Sequence, residues 1–340
     1  MTAAGVHPGG ARSVERRTLR ERVSEWVRAH SSVHLPGGPP VLVVTTPRSG
    51  STWLMELIWA QPGFKAISEP LDLRREPVRR VLGIRSFEAL YAASSAPRVE
   101  AYLQGLAAGR LRFLDPSPRL RHWRPVTRRV VLKLLHGCED RIPRLAELLG
   151  ARVVLLLRHP IPVSLSRREL PRLRAFLESD YAAHFTAEEL AFARRLAAHE
   201  DPLERGVLDW TLQNALPLRM CRPEWLVLSY EQLVLDPAPL LRRLAGHLAL
   251  PRPERLEREL PRPSLTTGKS EPGTAEVLRR ESSPERQRYL VERWRERVSP
   301  EREAALLEIP ARFGVEVYRA GSALPRPPLW HGPHPEGGLR

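Results

Sequence analysis

The sequence predicts an α/β fold in which a doubly wound parallel sheet is flanked by helices, with helical insertions forming a cap. Two observations carry this. Three short runs, VLVVT at 41–45, VVLKLL at 130–135 and VVLLL at 153–157, are rich in Val and Leu on both faces, as strands buried inside a parallel sheet are. Each is followed by a polar turn and a helical pattern, at 51–60, at 141–149 and from 162 onward, and that alternation marks βα units. A fourth run, WLVLSY at 225–230, repeats the pair with EQLVLDPAPLLRRLAGHLAL behind it.

The 340 residues suit one large domain, placed here at 40–320. Ahead of it, residues 14–30 carry Leu19, Val23, Trp26 and Val27 at helical spacing. The segment LPGGPP at 35–40 ends that helix, so residues 1–39 read as an N-terminal helix and linker. The stretch FKAI at 64–67 reads as a short strand beside the first one. Residues 71–110 and 186–219 are mostly helical in pattern and could build the cap. Residues 251–285, rich in Pro, Arg and Glu, read as a long irregular segment, and 321–340 as an extended or disordered tail.

A net charge of +15 ordinarily suggests nucleic acid. Only three of the 54 basic residues are lysine, however, and the arginines are scattered rather than interleaved with aromatics. No dedicated nucleic-acid surface is expected. Cys138 and Cys221 form no C-x-x-C pair and no His cluster accompanies them, which argues against a disulfide framework or a metal site. The longest apolar runs are strand-length, far short of a membrane span, and the N-terminal segment is too charged for a signal peptide. A cytoplasmic protein is the expectation.

The functional signal begins in VLVVTTPRSGSTWL at 41–54. A buried strand delivering its C-terminal end into TPRSGST and then a helix makes a P-loop-like anion site, because backbone N–H groups and the helix dipole point outward together. Gly50 permits a backbone turn toward an oxyanion. Ser49, Ser51 and Thr52 add hydroxyl donors and Arg48 a charged fork. The blander reading is that Ser51 N-caps a core helix while Gly50 eases a turn. A second constellation, VVLLLRHPIPVSLSRRE at 153–169, again places an arginine at a strand end and a serine eight residues later. With a helix opened by Pro160 or Pro162, Arg158 and Ser166 could share one phosphate, Ser166 about one turn in.

TPRSGSTWL and RHPIPVSLSR together resemble the two signature motifs of sulfotransferases that use 3′-phosphoadenosine 5′-phosphosulfate (PAPS). The resemblance implies that Arg48, Ser49, Gly50, Ser51 and Thr52 bind the 5′ end of the cosubstrate. It likewise implies that Arg158 and Ser166 clamp the 3′-phosphate, Trp53 stacks on adenine, and Tyr230 of the YEQL segment approaches it. A core aromatic is the alternative for Trp53. EIPARFGVEVY at 308–318 is similar to the family's last helix. There are departures. Arg48 replaces the lysine of cytosolic members, which points toward the carbohydrate, tyrosyl-protein and bacterial branches. His159 stands where an aspartate is usual, and the Arg-Lys-Gly-x-x-Gly segment is missing, leaving Ser264, Thr266 and Lys269 in that neighbourhood.

The implied reaction is in-line transfer of a sulfuryl group to an acceptor hydroxyl of a carbohydrate, glycolipid or secondary metabolite, with adenosine 3′,5′-bisphosphate (PAP) as product and no metal. It needs a base for the hydroxyl proton and cations for the charge that develops. Glu69, in a SEPL context resembling the Glu-Pro of carbohydrate sulfotransferases, is the leading base; the alternative is structural, an exposed loop carboxylate or a salt bridge to Arg74 or Arg75. His136 competes, and Arg48 and Lys133 supply charge. Three apart, Lys133 and His136 would face opposite sides of a strand and not pair. Lys133, in an apolar strand, needs an anion or a path to solvent. The other readings are a P-loop kinase-like phosphotransferase, for which the loop lacks its lysine, and a non-catalytic basic binding protein on the same fold.

Overall fold

The computed structural model describes residues 33–113, 122–167, 169–262 and 283–326, together with Leu19, Val23 and Ser264. Most of the expected N-terminal helix, the tail beyond 326, and Thr266 and Lys269 lie outside the described residues. In chain order the strands are β1 (Val33–His34), β2 (Val41–Thr45), β3 (Phe64–Ser68), β4 (Val126–Thr127), β5 (Arg129–Leu134), β6 (Arg152–Leu157) and β7 (Leu226–Ser229). β3, β5, β2, β6 and β7 lie side by side in that order, all parallel. β1 and β4 form a separate two-stranded ladder.

Alternation along these strands builds two cores. Leu42, Val44, Leu132, Val153 and Leu155 face the larger one, covered by the helical segments from 76 to 107 and 142 to 216 and by the helix Pro300–Ala311. Val41, Val43, Val131, Val154 and Leu156 face the second, closed by the helices Ser51–Trp59 and Pro237–Leu248. Both faces are covered, which is why these strands read as apolar runs without polar alternation. In such a sheet the ligand crevice lies beyond the carboxyl ends of the strands.

Two expectations need correction. FKAI forms β3, but β3 pairs with β5 and not with β2, so Glu69 is one strand further from the first loop than expected. Its strand still runs parallel, so Glu69 emerges at the same sheet edge, and its amide donates to the Lys133 carbonyl at 3.0 Å. The segment 251–285 is not irregular throughout: Glu254–Glu259 is helical, with Leu256 buried against the second core.

Candidate active site

At the end of β2 the chain turns through Arg48 and Gly50, both in the left-handed region at φ 72° and 81°. Gly50 is the N-cap of the helix Ser51–Trp59 and no side chain caps it, so Ser51 is the first helical residue rather than the cap. The first helical bond runs from the Leu54 N–H to the Gly50 carbonyl at 3.1 Å, which leaves the amides of Ser51, Thr52 and Trp53 pointing outward at the positive end of the helix. A side chain at Gly50 has no room: a Cβ there would sit 2.5 Å from Tyr230 Cδ2. Ser49 is fully buried and its hydroxyl meets that of Thr46 at 2.5 Å.

Arg158 closes this loop from the neighbouring strand. Its Nη1 donates to the Arg48 carbonyl at 2.8 Å, and its guanidinium lies 4.1 Å above the Tyr230 ring. Its Nε is buried without a hydrogen-bond partner. The helix after β6 is Pro160–Leu165, and Ser166 is its C-cap rather than a residue one turn in. Even so, Ser166, Arg158 and Arg48 line one cavity of about 740 Å³. Trp53 donates from Nε1 to the Leu260 carbonyl at 3.1 Å and meets Tyr230 edge-on, centroids 6.2 Å apart.

The sequence reading missed the far wall of that cavity. Leu290, Arg293, Trp294, Glu296 and Arg297, at the end of the helix Pro284–Glu292 and just beyond it, face Arg48 and Arg158. They lie well over a hundred residues from either motif in a segment dominated by Arg and Glu, so no local pattern singles them out. Ser264 is buried.

Glu69 is the third residue at this edge and also has positive φ, 57°. Lys133, 2% exposed, donates from Nζ to Glu69 Oε1 and to Thr52 Oγ1, each at 3.0 Å. The ammonium thus joins the carboxylate to the first turn of the helix Ser51–Trp59. The expected separation of Lys133 and His136 fails because β5 ends at Leu134; strand parity no longer governs His136, whose Nε2 lies 3.4 Å from Glu69 Oε2. That same nitrogen is 3.0 Å from Arg74 Nη2. The two contacts call for opposite tautomers, donor to Glu69 and acceptor from Arg74.

Burial by itself would raise the Glu69 carboxyl, but the hydrogen bond with His136 and the Lys133 charge outweigh it and hold it well below the usual carboxylate range. Burial lowers His136 despite the bond to Glu69. The alternative partners for Glu69 lie on other groups: Arg74 takes both Asp72 oxygens, at 2.7 and 3.1 Å, and Arg75 donates from Nη1 to the Ser68 carbonyl at 3.4 Å. Glu69, Asp72 and His136 bring possible metal-ligand atoms within 4.8 Å of one another, yet Arg74 and Lys133 already neutralise the two carboxylates.

Residues 38–310 match the sulfotransferase domain family. The chain belongs to this family. Among solved structures, this sulfotransferase is similar to the sulfotransferase domain of the Synechococcus PCC 7002 olefin synthase, at 21% identity over 83% of this chain and 95% of that one, with a TM-score of 0.46. It is also similar to the sulfotransferase STF9 from Mycobacterium avium, at 14% identity over 71% and 70% of the two chains and a TM-score of 0.34. Mouse sulfotransferase SULT7A1, crystallised with PAP, has 15% identity over 85% and 94% and a TM-score of 0.34. No curated protein matches the sequence. Among the described residues no helix is long and apolar enough to cross a membrane.

Proposed function

We propose that this sulfotransferase transfers a sulfuryl group from PAPS to a hydroxyl of a carbohydrate, glycolipid or secondary metabolite, with Glu69 as the base. The observation that carries the reading is the Lys133 ammonium, hydrogen-bonded at once to Glu69 and to Thr52 on the anion-binding helix. The residues present suit a donor with phosphate at both ends. One end would meet the outward amides, Thr52 and Arg48 at the Gly50 turn. The other would meet Arg158, whose buried Nε lacks a partner, together with Ser166, in the cavity that Arg48 also lines.

When bound, PAPS supplies an activated sulfuryl group whose release leaves PAP. Glu69 removes the acceptor's hydroxyl proton as the new O–S bond forms and the bond from sulfur to the phosphate oxygen breaks. The depressed pKa keeps Glu69 ionised near neutrality, the form a base requires. The same cations make it a weak base in the free protein. Two of the three Lys133 donors are used by Glu69 and Thr52, so the third is available to stabilise negative charge, a role suited to a water-poor pocket. As that charge draws the ammonium, Glu69 becomes more basic.

The test is transfer of labelled sulfate from PAPS across a panel of alcohols, with Glu69→Gln beside the native protein. Native protein should label an alcohol; Glu69→Gln should bind PAP normally and lose turnover by about a hundredfold or more. Full activity in the variant would remove Glu69 as the base, and Mg-dependent ATP turnover with no PAPS use would favour the kinase reading.

A further inference from the structure

Glu231 is a carboxylate sealed in the core at 2% exposure, in the first turn of the helix Tyr230–Leu235 that follows β7. Burying a carboxylate is costly unless its oxygens are well satisfied. Oε1 accepts the backbone N–H of His159 at 2.8 Å, and Oε2 accepts the Tyr318 hydroxyl at 3.0 Å.

The His159 N–H belongs to the peptide group that also contains the Arg158 carbonyl. Trp210 Nε1 donates to that carbonyl at 3.0 Å. One peptide plane is therefore held from both edges, by a carboxylate on one side and an indole on the other. It joins Arg158 to His159, the N-cap of the helix Pro160–Leu165 whose C-cap is Ser166. Proline has no N–H with which to anchor the start of that helix; His159 Nδ1 accepts the Ile161 N–H at 3.4 Å, and the 158–159 peptide itself is held by Glu231 and Trp210. The His159 ring is wedged between Trp294 and Tyr318, each with its centroid 4.7 Å away, and Trp294 also lines the cavity. Burial pushes the Glu231 carboxyl up, while the His159 N–H and the Arg158 charge pull it back.

We propose that Glu231 is a positioning residue for the Arg158–Ser166 anion clamp, acting through the Arg158–His159 peptide and itself held by Tyr318. Its ligand selectivity follows: loosening Glu231 should cost recognition of the 3′-phosphate more than that of the 5′ end, which Arg158 reaches only through its bond to the Arg48 carbonyl. The inference rests on the donor reading given under Proposed function.

The experiment is calorimetric titration of the full chain with PAP and, separately, with adenosine 5′-phosphate, which lacks the 3′ group. Glu231→Ala should weaken PAP about tenfold or more, as expected on losing a charge-assisted bond, and adenosine 5′-phosphate by clearly less. Glu231→Gln, whose amide oxygen can still accept the His159 N–H, should recover most of the loss. Tyr318→Phe removes a single hydroxyl and keeps the ring packing, a milder change than the alanine, with a loss of about threefold for PAP and less for adenosine 5′-phosphate. An unchanged ratio of PAP to adenosine 5′-phosphate affinity in Glu231→Ala, or in Tyr318→Phe should the alanine variant not fold, overturns the inference. An equal loss of both ligands identifies a merely structural role and overturns it too. Failure of the native protein to bind PAP at millimolar concentration instead overturns the donor reading beneath it.

Discussion

His159 predicts an acid sensitivity that can be worked out in advance. The side chain is fully buried, and its Nε2 is without a partner. Burial, aided by the charges of Arg295 and Arg158, lowers its pKa from 6.5 to about 3. The folded protein therefore refuses a proton that the unfolded chain accepts below its ordinary pKa, and stability falls as the pH drops through 6.5 toward 3. Each tenfold difference in proton affinity between the two states is worth about 1.4 kcal/mol, so the interval from pH 7 to pH 5 costs about 2 kcal/mol through this one ring. His159→Phe keeps the aromatic contacts and cannot be protonated. Urea denaturation of both proteins at pH 7, 6 and 5 should show the variant losing about 2 kcal/mol less than the native protein across that span. Other titrating groups are common to both and cancel in the comparison. Parallel pH dependences for the two proteins would refute the reasoning.

Gly50→Ala places a Cβ 2.5 Å from the Tyr230 ring at φ 81°, and denaturant melts should show a loss of about 2 kcal/mol or more, with weaker PAP binding. Lys133→Met leaves Glu69 with His136 alone; stability should fall by about 3 kcal/mol and turnover by about a hundredfold or more, read by melts and initial rates. Because the Glu69 pKa lies below its ordinary 4.5, its contribution is present above that value and lost as the pH falls. Acid melts of Glu69→Gln should accordingly show a flatter dependence below about pH 4.5. Arg297 lines the cavity beside Arg158, and Arg297→Ala should weaken PAP by a few fold, more at low salt than at high, as titration at two ionic strengths will show.

The sheet was legible because residues 41–45, 153–157 and 226–229 bury both faces, and that requirement leaves no room for a polar alternation. The order of the strands was not. Which neighbour β3 takes depends on crossovers, and the pairing with β5 moved Glu69 beside Lys133. The two strand–turn–helix loops were legible because each is local: strand, turn and helix are contiguous in sequence. Lys133 and His136 were misjudged where the strand ends, since parity holds only while the chain stays extended. Arg297 and Trp294 left no trace because a tertiary contact with no periodicity brings them to the cavity. Glu231 sits within the YEQL segment, but nothing in its spacing indicates that it holds the Arg158–His159 peptide.

Titration of the purified protein with PAP, by calorimetry, tests the central claim most directly. Binding in the native protein, much weakened by Arg158→Ala and by Arg48→Ala while Glu69→Gln binds as the native protein does, is the predicted result. No detectable binding at millimolar PAP, or binding indifferent to both arginines, would contradict the account.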